Sequence, residues 1–254
     1  MTLDAVTVDS VTLNPVPLDP RTLPGPVWIV SPHPDDEALG CAALIAALTD
    51  LDREVHALLV TDGGFSHPNS PSFPRARLAQ SRLSEWRAGL AALGVPETRT
   101  HALGLPDGAL DRVDPADMGR EVGRIFAAAP PATLLLPWRR DPHPDHRAAW
   151  GPVWGAAPPA TRRLEYAVWL PERGDANAWP TAQEARVWSL AVGAARSRKA
   201  QAIAAHATQL GGISDDPHGF TLAPEMVERA LNGPELFFEA FVQAVPAAQE
   251  ATTT

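Results

Sequence analysis

Cysteine is almost absent: Cys41 is the single one in 254 residues. A disulfide within the chain is thereby excluded, and so is a cysteine-based zinc site. Any metal must be held by histidine and carboxylate side chains. Long apolar runs are also missing. No stretch approaches the roughly 18 apolar residues of a membrane span, and Met1 to Pro24 has neither the basic start nor the apolar core of a signal peptide. No membrane span is expected, and the cytoplasm is the default location. Positive charge is scarce as well. Twenty-one Lys and Arg against 30 Asp and Glu leave a net charge of −9. Nucleic-acid binders need basic stripes to neutralise phosphates, so no nucleic-acid partner is expected. A small anionic substrate held by a few local arginines remains compatible with this balance.

What is present reads as one α/β domain. Residues 1–25 form an N-terminal extension with four prolines and three aspartates. Within it Val6-Thr7-Val8 suits either an edge strand or a loosely packed arm. From Pro26 the pattern turns regular. Buried-strand runs at Val27–Val30, Val55–Val60, near His101, Thr133–Leu136, Leu164–Leu170 and Val187–Val192 alternate with helical segments. Those segments are Glu37–Leu48, residues 75–93, 115–128, a start near His143, 194–207 and 224–231. Such alternation predicts a mostly parallel, Rossmann-like sheet with helices on both faces, spanning 26–244. Residues 245–254 read as a flexible tail.

The tripeptide His-Pro-Asp occurs twice, as His33-Pro34-Asp35-Asp36 and as His143-Pro144-Asp145-His146. Each copy follows an apolar strand and precedes a helix. In a doubly wound sheet such loops open onto the carboxyl edge, where ligands bind. Zinc takes imidazole nitrogen and carboxylate oxygen, and a catalytic site needs three ligands plus an open position. The two loops offer six candidates, which leaves groups over for a base and an oxyanion partner. Adjacent Asp35 and Asp36 cannot easily point the same way in a tight turn, so one can bind metal while the other moves a proton. A single His-Pro-Asp would be read as a turn; two copies after strands are read as a metal site.

These strings resemble the PIG-L / LmbE-like family of zinc-dependent N-acetylglucosaminyl deacetylases. Further likeness lies in Arg82-Leu83-Ser84-Glu85, in Leu105-Pro106-Asp107-Gly108 and, more weakly, from Lys199 to Gln209. The resemblance implies an LmbE-like fold and assigns His33, Asp36 and His146 as ligands of one Zn²⁺, with Fe²⁺ or Co²⁺ as substitutes. It implies that Asp35 is the general base, that His143 steadies the oxyanion or protonates the leaving amine, and that Asp145 orients a neighbouring histidine. Arg82 and Asp107 match substrate-binding positions. The reaction implied is hydrolysis of an N-acetylated amino sugar or conjugate to acetate and free amine. The partner is that small molecule and, in a homo-oligomer, other copies of the chain. Rival readings are an amidase on another acylated amine or thiol conjugate, a silent sugar- or metal-binding protein, and a two-metal phosphoesterase.

Outside the motifs, Trp138 is read as an aromatic face for a sugar ring, and Arg140, or its neighbour Arg139, as the partner of an acidic substrate group. Glu37 suits the first turn of its helix or a role in tuning His33. Asp62 suits a turn. The stretch Gly64–Pro74 departs from the family pattern and carries three prolines.

Overall fold

The computed structural model describes residues 6–8 and 11–241; the expected tail over 245–254 lies outside them. Near the start, β1 (Val6–Val8) pairs antiparallel with β2 (Val11–Leu13). The main sheet comprises β3 (Val16–Pro17), β4 (Val27–Ser31), β5 (Val55–Thr61), β6 (Thr100–Leu105), β7 (Thr133–Pro137), β8 (Arg162–Tyr166), β9 (Ala185–Leu190) and β10 (Glu235–Ala240). Its strand order is β3-β9-β10-β8-β7-β4-β5-β6. From β8 to β6 every pairing is parallel, whereas β10 runs antiparallel to both β8 and β9. The sheet is therefore mixed, with its parallel part as expected. β3 docks in parallel on β9, and Leu18 and Leu23 enter the main core, so residues 16–23 are built into the domain.

The helices are α1 (Asp36–Gly40), α2 (Ala42–Asp50), α3 (Arg75–Ala92), α4 (Pro115–Ala128), α5 (Pro144–Ala156), α6 (Leu170–Arg173), α7 (Arg196–Ala204) and α8 (Pro224–Asn232). Alternation along β4 decides the layers. Val27 and Ile29 face a core shared with α2, α3, α7 and α8, while Trp28 and Val30 face one shared with α4 and α5. Both faces are covered, which is why the central strands are nearly continuous apolar runs.

Two expectations are revised. The single helix over 37–48 breaks at Cys41, which has φ −147° and closes α1 while opening α2. The break frees an N-terminus that Glu235 fills: its carboxylate accepts from Ala43 N (2.7 Å) and Leu44 N (2.9 Å). Lys199, fully buried, donates to Glu235 (2.7 Å) and to the Leu39 carbonyl (2.8 Å). β10 itself was not anticipated. Its Leu236 and Phe238 pack with Trp138 and Trp179, while Phe237 joins the opposite core.

The direction in which successive strands are added reverses between the parallel neighbours β4 and β7. From β4 the chain proceeds outward through β5 and β6, and from β7 it proceeds the other way through β8. Both His-Pro-Asp loops leave the carboxyl ends of these two neighbouring strands, at the switch point where α/β sheets bind ligands.

Close packing above β4 makes Gly40 a sensitive position. A Cβ there would crowd the Tyr166 ring, 2.9 Å from Cε2, and that ring is pinned by its hydroxyl donating to the Val30 carbonyl (2.8 Å). Gly40→Ala should lower the denaturant midpoint by the equivalent of about 1–3 kcal/mol. An unchanged midpoint would mean that Tyr166 can move aside.

Candidate metal centre and active-site cleft

Three atoms from the two loops form a nearly equilateral triangle. His33 Nδ1 lies 3.2 Å from His146 Nε2, His146 Nε2 lies 3.2 Å from Asp36 Oδ2, and Asp36 Oδ2 lies 3.4 Å from His33 Nδ1. Metal bonds of about 2.0–2.1 Å at tetrahedral angles put ligand atoms about 3.3–3.4 Å apart. The donor set and its spacing therefore fit one tetrahedral metal with a fourth position open.

Each imidazole is oriented by a carboxylate behind it. His33 Nε2 faces Asp145 Oδ2 (3.1 Å) and Asp107 Oδ1 (3.3 Å), which leaves Nδ1 for the metal. His146 Nδ1 faces Asp141 Oδ1 (3.2 Å), which leaves Nε2. Carboxylates behind metal-binding histidines fix the tautomer and raise ligand basicity. Burial alone would depress both histidines. Asp36 and Asp141 override it at His146 and raise its pKa to about 9, and hydrogen bonds to Asp107, Asp145 and Asp36 raise His33 well above its usual value. Burial would raise Asp36, but His146 and His33 hold it far below the carboxylate range.

Asp35 faces a different environment. Its backbone has φ 129°, a conformation that a non-glycine residue keeps only when its surroundings force it. Asp35 stands at the N-cap of α1, yet its carboxylate caps nothing. It meets Arg82 Nη2 instead (3.3 Å). Burial, opposed by the Arg82 charge and reinforced by Asp36, raises its pKa to about 7. A base poised there can take a proton at neutral pH.

His143 is the N-cap of α5, and its Nδ1 accepts from the Asp145 amide (3.2 Å). The neutral ring must then carry its proton on Nε2. Burial and the charges of His33 and His146 lower its pKa to about 4, so the ring is a neutral donor. It packs edge-on to His33, with centroids 4.4 Å apart.

His33, Asp35, Asp36, Arg82, Asp107 and His143 line a single cleft of about 910 Å³. Of the residues expected to touch substrate, Arg82 and Asp107 line the cleft, whereas Trp138 and Arg140 do not. Arg82 lines the cleft, but all its terminal N–H groups face protein acceptors: the carbonyls of Gly63 and Pro34, and the carboxylates of Asp35 and Asp107. It clamps the Asp35 loop. Trp138 is fully buried in the cluster around Phe238 and donates to the Ala178 carbonyl. Arg140 is paired with Glu184 (2.9 Å) and the Trp179 carbonyl (2.8 Å), away from the cleft, and Arg139 is paired with Glu165.

Glu37 is fully buried and turned from His33. It accepts from Ser31 Oγ (2.7 Å) and Trp86 Nε1 (3.0 Å). Asp62 is a turn residue, accepting from Gly64 N and Arg75. Sequence reasoning missed Asp141, although it opens the string Asp-Pro-His-Pro-Asp-His. It also missed the outer wall of Leu39, Phe65, Trp169, Arg173, Phe220 and Leu222. No spacing pattern marks that wall, since its residues come from unrelated loops.

The family model for GlcNAc-PI de-N-acetylase (PIG-L) matches residues 28–156, which carry both ligand loops. The chain belongs to this family. A diacetylchitobiose deacetylase of Thermococcus kodakarensis is 33% identical over 129 residues, covering 48% of this chain and 45% of that protein. The match thus spans less than half of the curated relative. Among solved structures, A40926 pseudoaglycone deacetylase superposes with TM-score 0.65 at 21% identity, covering 87% of this chain and 98% of that one. The 4-carboxy-2-hydroxymuconate hydratase of Pseudomonas putida superposes with TM-score 0.64 at 14% identity, covering 89% and 99%. These likenesses establish a shared fold.

In this PIG-L family member, metal and proton compete for the same nitrogens. Lowering the pH protonates His146 and His33 and should weaken metal binding. Affinity should rise with pH up to about 9, by about tenfold per unit for each proton displaced. Titration in buffers of different ionisation enthalpy reads those protons directly, and a pH-independent affinity would contradict the assignment. Asp141→Asn should reduce metal affinity by about 10–100-fold, measured by competition with a chelator.

Proposed function

We propose that the protein is a zinc-dependent N-deacetylase that hydrolyses the amide of an N-acetylated amino sugar or its conjugate to acetate and a free amine. One observation carries this reading: the ligand triangle of His33, Asp36 and His146 opens into a cleft where Asp35 and His143 also stand. A zinc ion held there would act as a Lewis acid toward the amide carbonyl and lower the pKa of water to about 7.

The remaining work falls to the chain. Asp35, at a pKa of about 7, accepts the proton of the attacking water. Arg82 holds the Asp35 carboxylate at the cleft floor through two neighbouring carbonyls. The Nε2–H of His143 is a donor for the oxyanion that develops as the carbonyl is attacked. Breaking the C–N bond needs a proton on nitrogen, and Asp35, now protonated, can return the one it took. Asp145 keeps His33 in register and accepts from Gly108 N and Leu110 N, which ties the Leu105–Gly108 turn to the centre.

The fold alone does not choose between hydrolysis and hydration, since a hydratase shares it. Family membership and the curated relative's printed activity favour amide hydrolysis. The test uses purified protein with metal counted per chain and acetate release followed on a panel of N-acetylated amino sugars. Asp35→Asn should keep one zinc and lose at least about 10²-fold in kcat; asparagine tolerates the positive φ of this position. His33→Ala should lose zinc as well as turnover. Full activity in Asp35→Asn would sink the mechanism.

A further inference from the structure

The cleft has two unlike sides. Its floor is the metal centre, and its outer wall is mostly apolar, formed by Leu39, Phe65, Trp169, Phe220 and Leu222, with Ser66, His218 and Arg173 as its polar members. Polar capacity for substrate is limited. The terminal N–H groups of Arg82 are committed to protein acceptors, Asp107 accepts from Phe65 N while facing His33 and Arg82, and Gly108 N donates to Asp145.

Two arginines line the cleft, and they differ. Arg82 is ion-paired with Asp35 and Asp107, whereas among the described residues Arg173 has no carboxylate partner. The neighbouring Glu172 is drawn away to Arg229. The Arg173 guanidinium lies over the Trp169 ring, with Cζ 4.4 Å from the centroid. Trp169 is itself fixed to the metal centre: its amide donates to Asp141 Oδ2 (3.0 Å), the carboxylate whose other oxygen faces His146, and its ring meets Phe220 edge-on at 5.7 Å. A planar fork stacked on a fixed indole is well suited to carboxylate or phosphate.

We propose that Arg173 on Trp169 is an anion-binding subsite, and that the amine side of the substrate joins an apolar body to a carboxylate or phosphate. This rests on the reading that the cleft takes an N-acetylated amine, and it narrows the class of that amine. The anion supplies attraction at one point of a cleft otherwise lined by the carboxylates of Asp35, Asp36 and Asp107.

The experiment uses zinc-loaded Asp35→Asn protein, which binds without turnover, and three ligands of one body: phenyl, 4-carboxyphenyl and 4-phosphophenyl N-acetylglucosaminide. Calorimetry should give at least one charged ligand an affinity at least tenfold above the phenyl ligand, with the difference shrinking as salt rises. The better charged arm names the anion. Adding Arg173→Gln should collapse that arm to the phenyl level, and its melting temperature checks the fold. Equal affinity of the three ligands, or no binding by the charged ones, overturns the subsite. So does a preference that survives Arg173→Gln, which would place the attraction at the metal. Acetate release by the unsubstituted protein separates the two ideas. An Arg173-dependent preference without any acetate release would overturn the deacetylase reading and leave the subsite standing.

Discussion

His33 and His146 approach within 3.2 Å across the β4–β7 boundary, with Asp36 closing the triangle. Two basic nitrogens and a carboxylate so close, and almost out of water, need a shared cation, either a proton or a metal. Asp145, Asp107 and Asp141 stand behind the rings and prevent them from turning away. Much of the surrounding structure serves this constraint. Parallel pairing of β4 and β7 sets the separation of the two loops, and Asp145 also anchors the turn that follows β6. The fold thereby sets the spacing of the three atoms in advance, and a metal held there would demand little reorganisation.

The same crowding separates two adjacent aspartates. Asp36 lies between histidines and is held ionised, while at Asp35 burial and the charge of Asp36 outweigh the opposing charges of Arg82 and His33. Neighbouring carboxylates with opposed shifts are suited to opposite tasks, which is the division proposed for this pair. The strained backbone at Asp35 is what turns its carboxylate away from that of Asp36, and Arg82 stabilises the result.

Much of this was legible in the sequence because it is local. His-Pro-Asp after an apolar run names ligand, turn and helix start within a few residues, and the parallel half of the sheet follows from its alternation with helices. What could not be read depends on distant partners. Arg140 and Trp138 looked available beside the second loop, yet Glu184 and Phe238, far along the chain, occupy them. Arg82 looked like a substrate contact, and only the fold brings the carbonyls of Pro34 and Gly63 to it. The break at Cys41 is intelligible only once Glu235 arrives from β10 to receive the freed amides. β10 carries only a brief apolar run, Leu236-Phe237-Phe238, and its strand is defined by its partners β8 and β9. Asp141 was missed although it stood in plain view, because its role depends on which side of His146 it meets.

The outer wall has a consequence for where the cleft can vary. Both ligand loops fall within residues 28–156, whereas Trp169, Arg173, Phe220 and Leu222 come from the half that follows. The inner part of the cleft and most of its outer wall are thus drawn from different halves of the chain, with Leu39 and Phe65 as the wall's apolar contribution from the first half. Substitutions after residue 156 can reshape that wall while the triangle of His33, Asp36 and His146 stays intact.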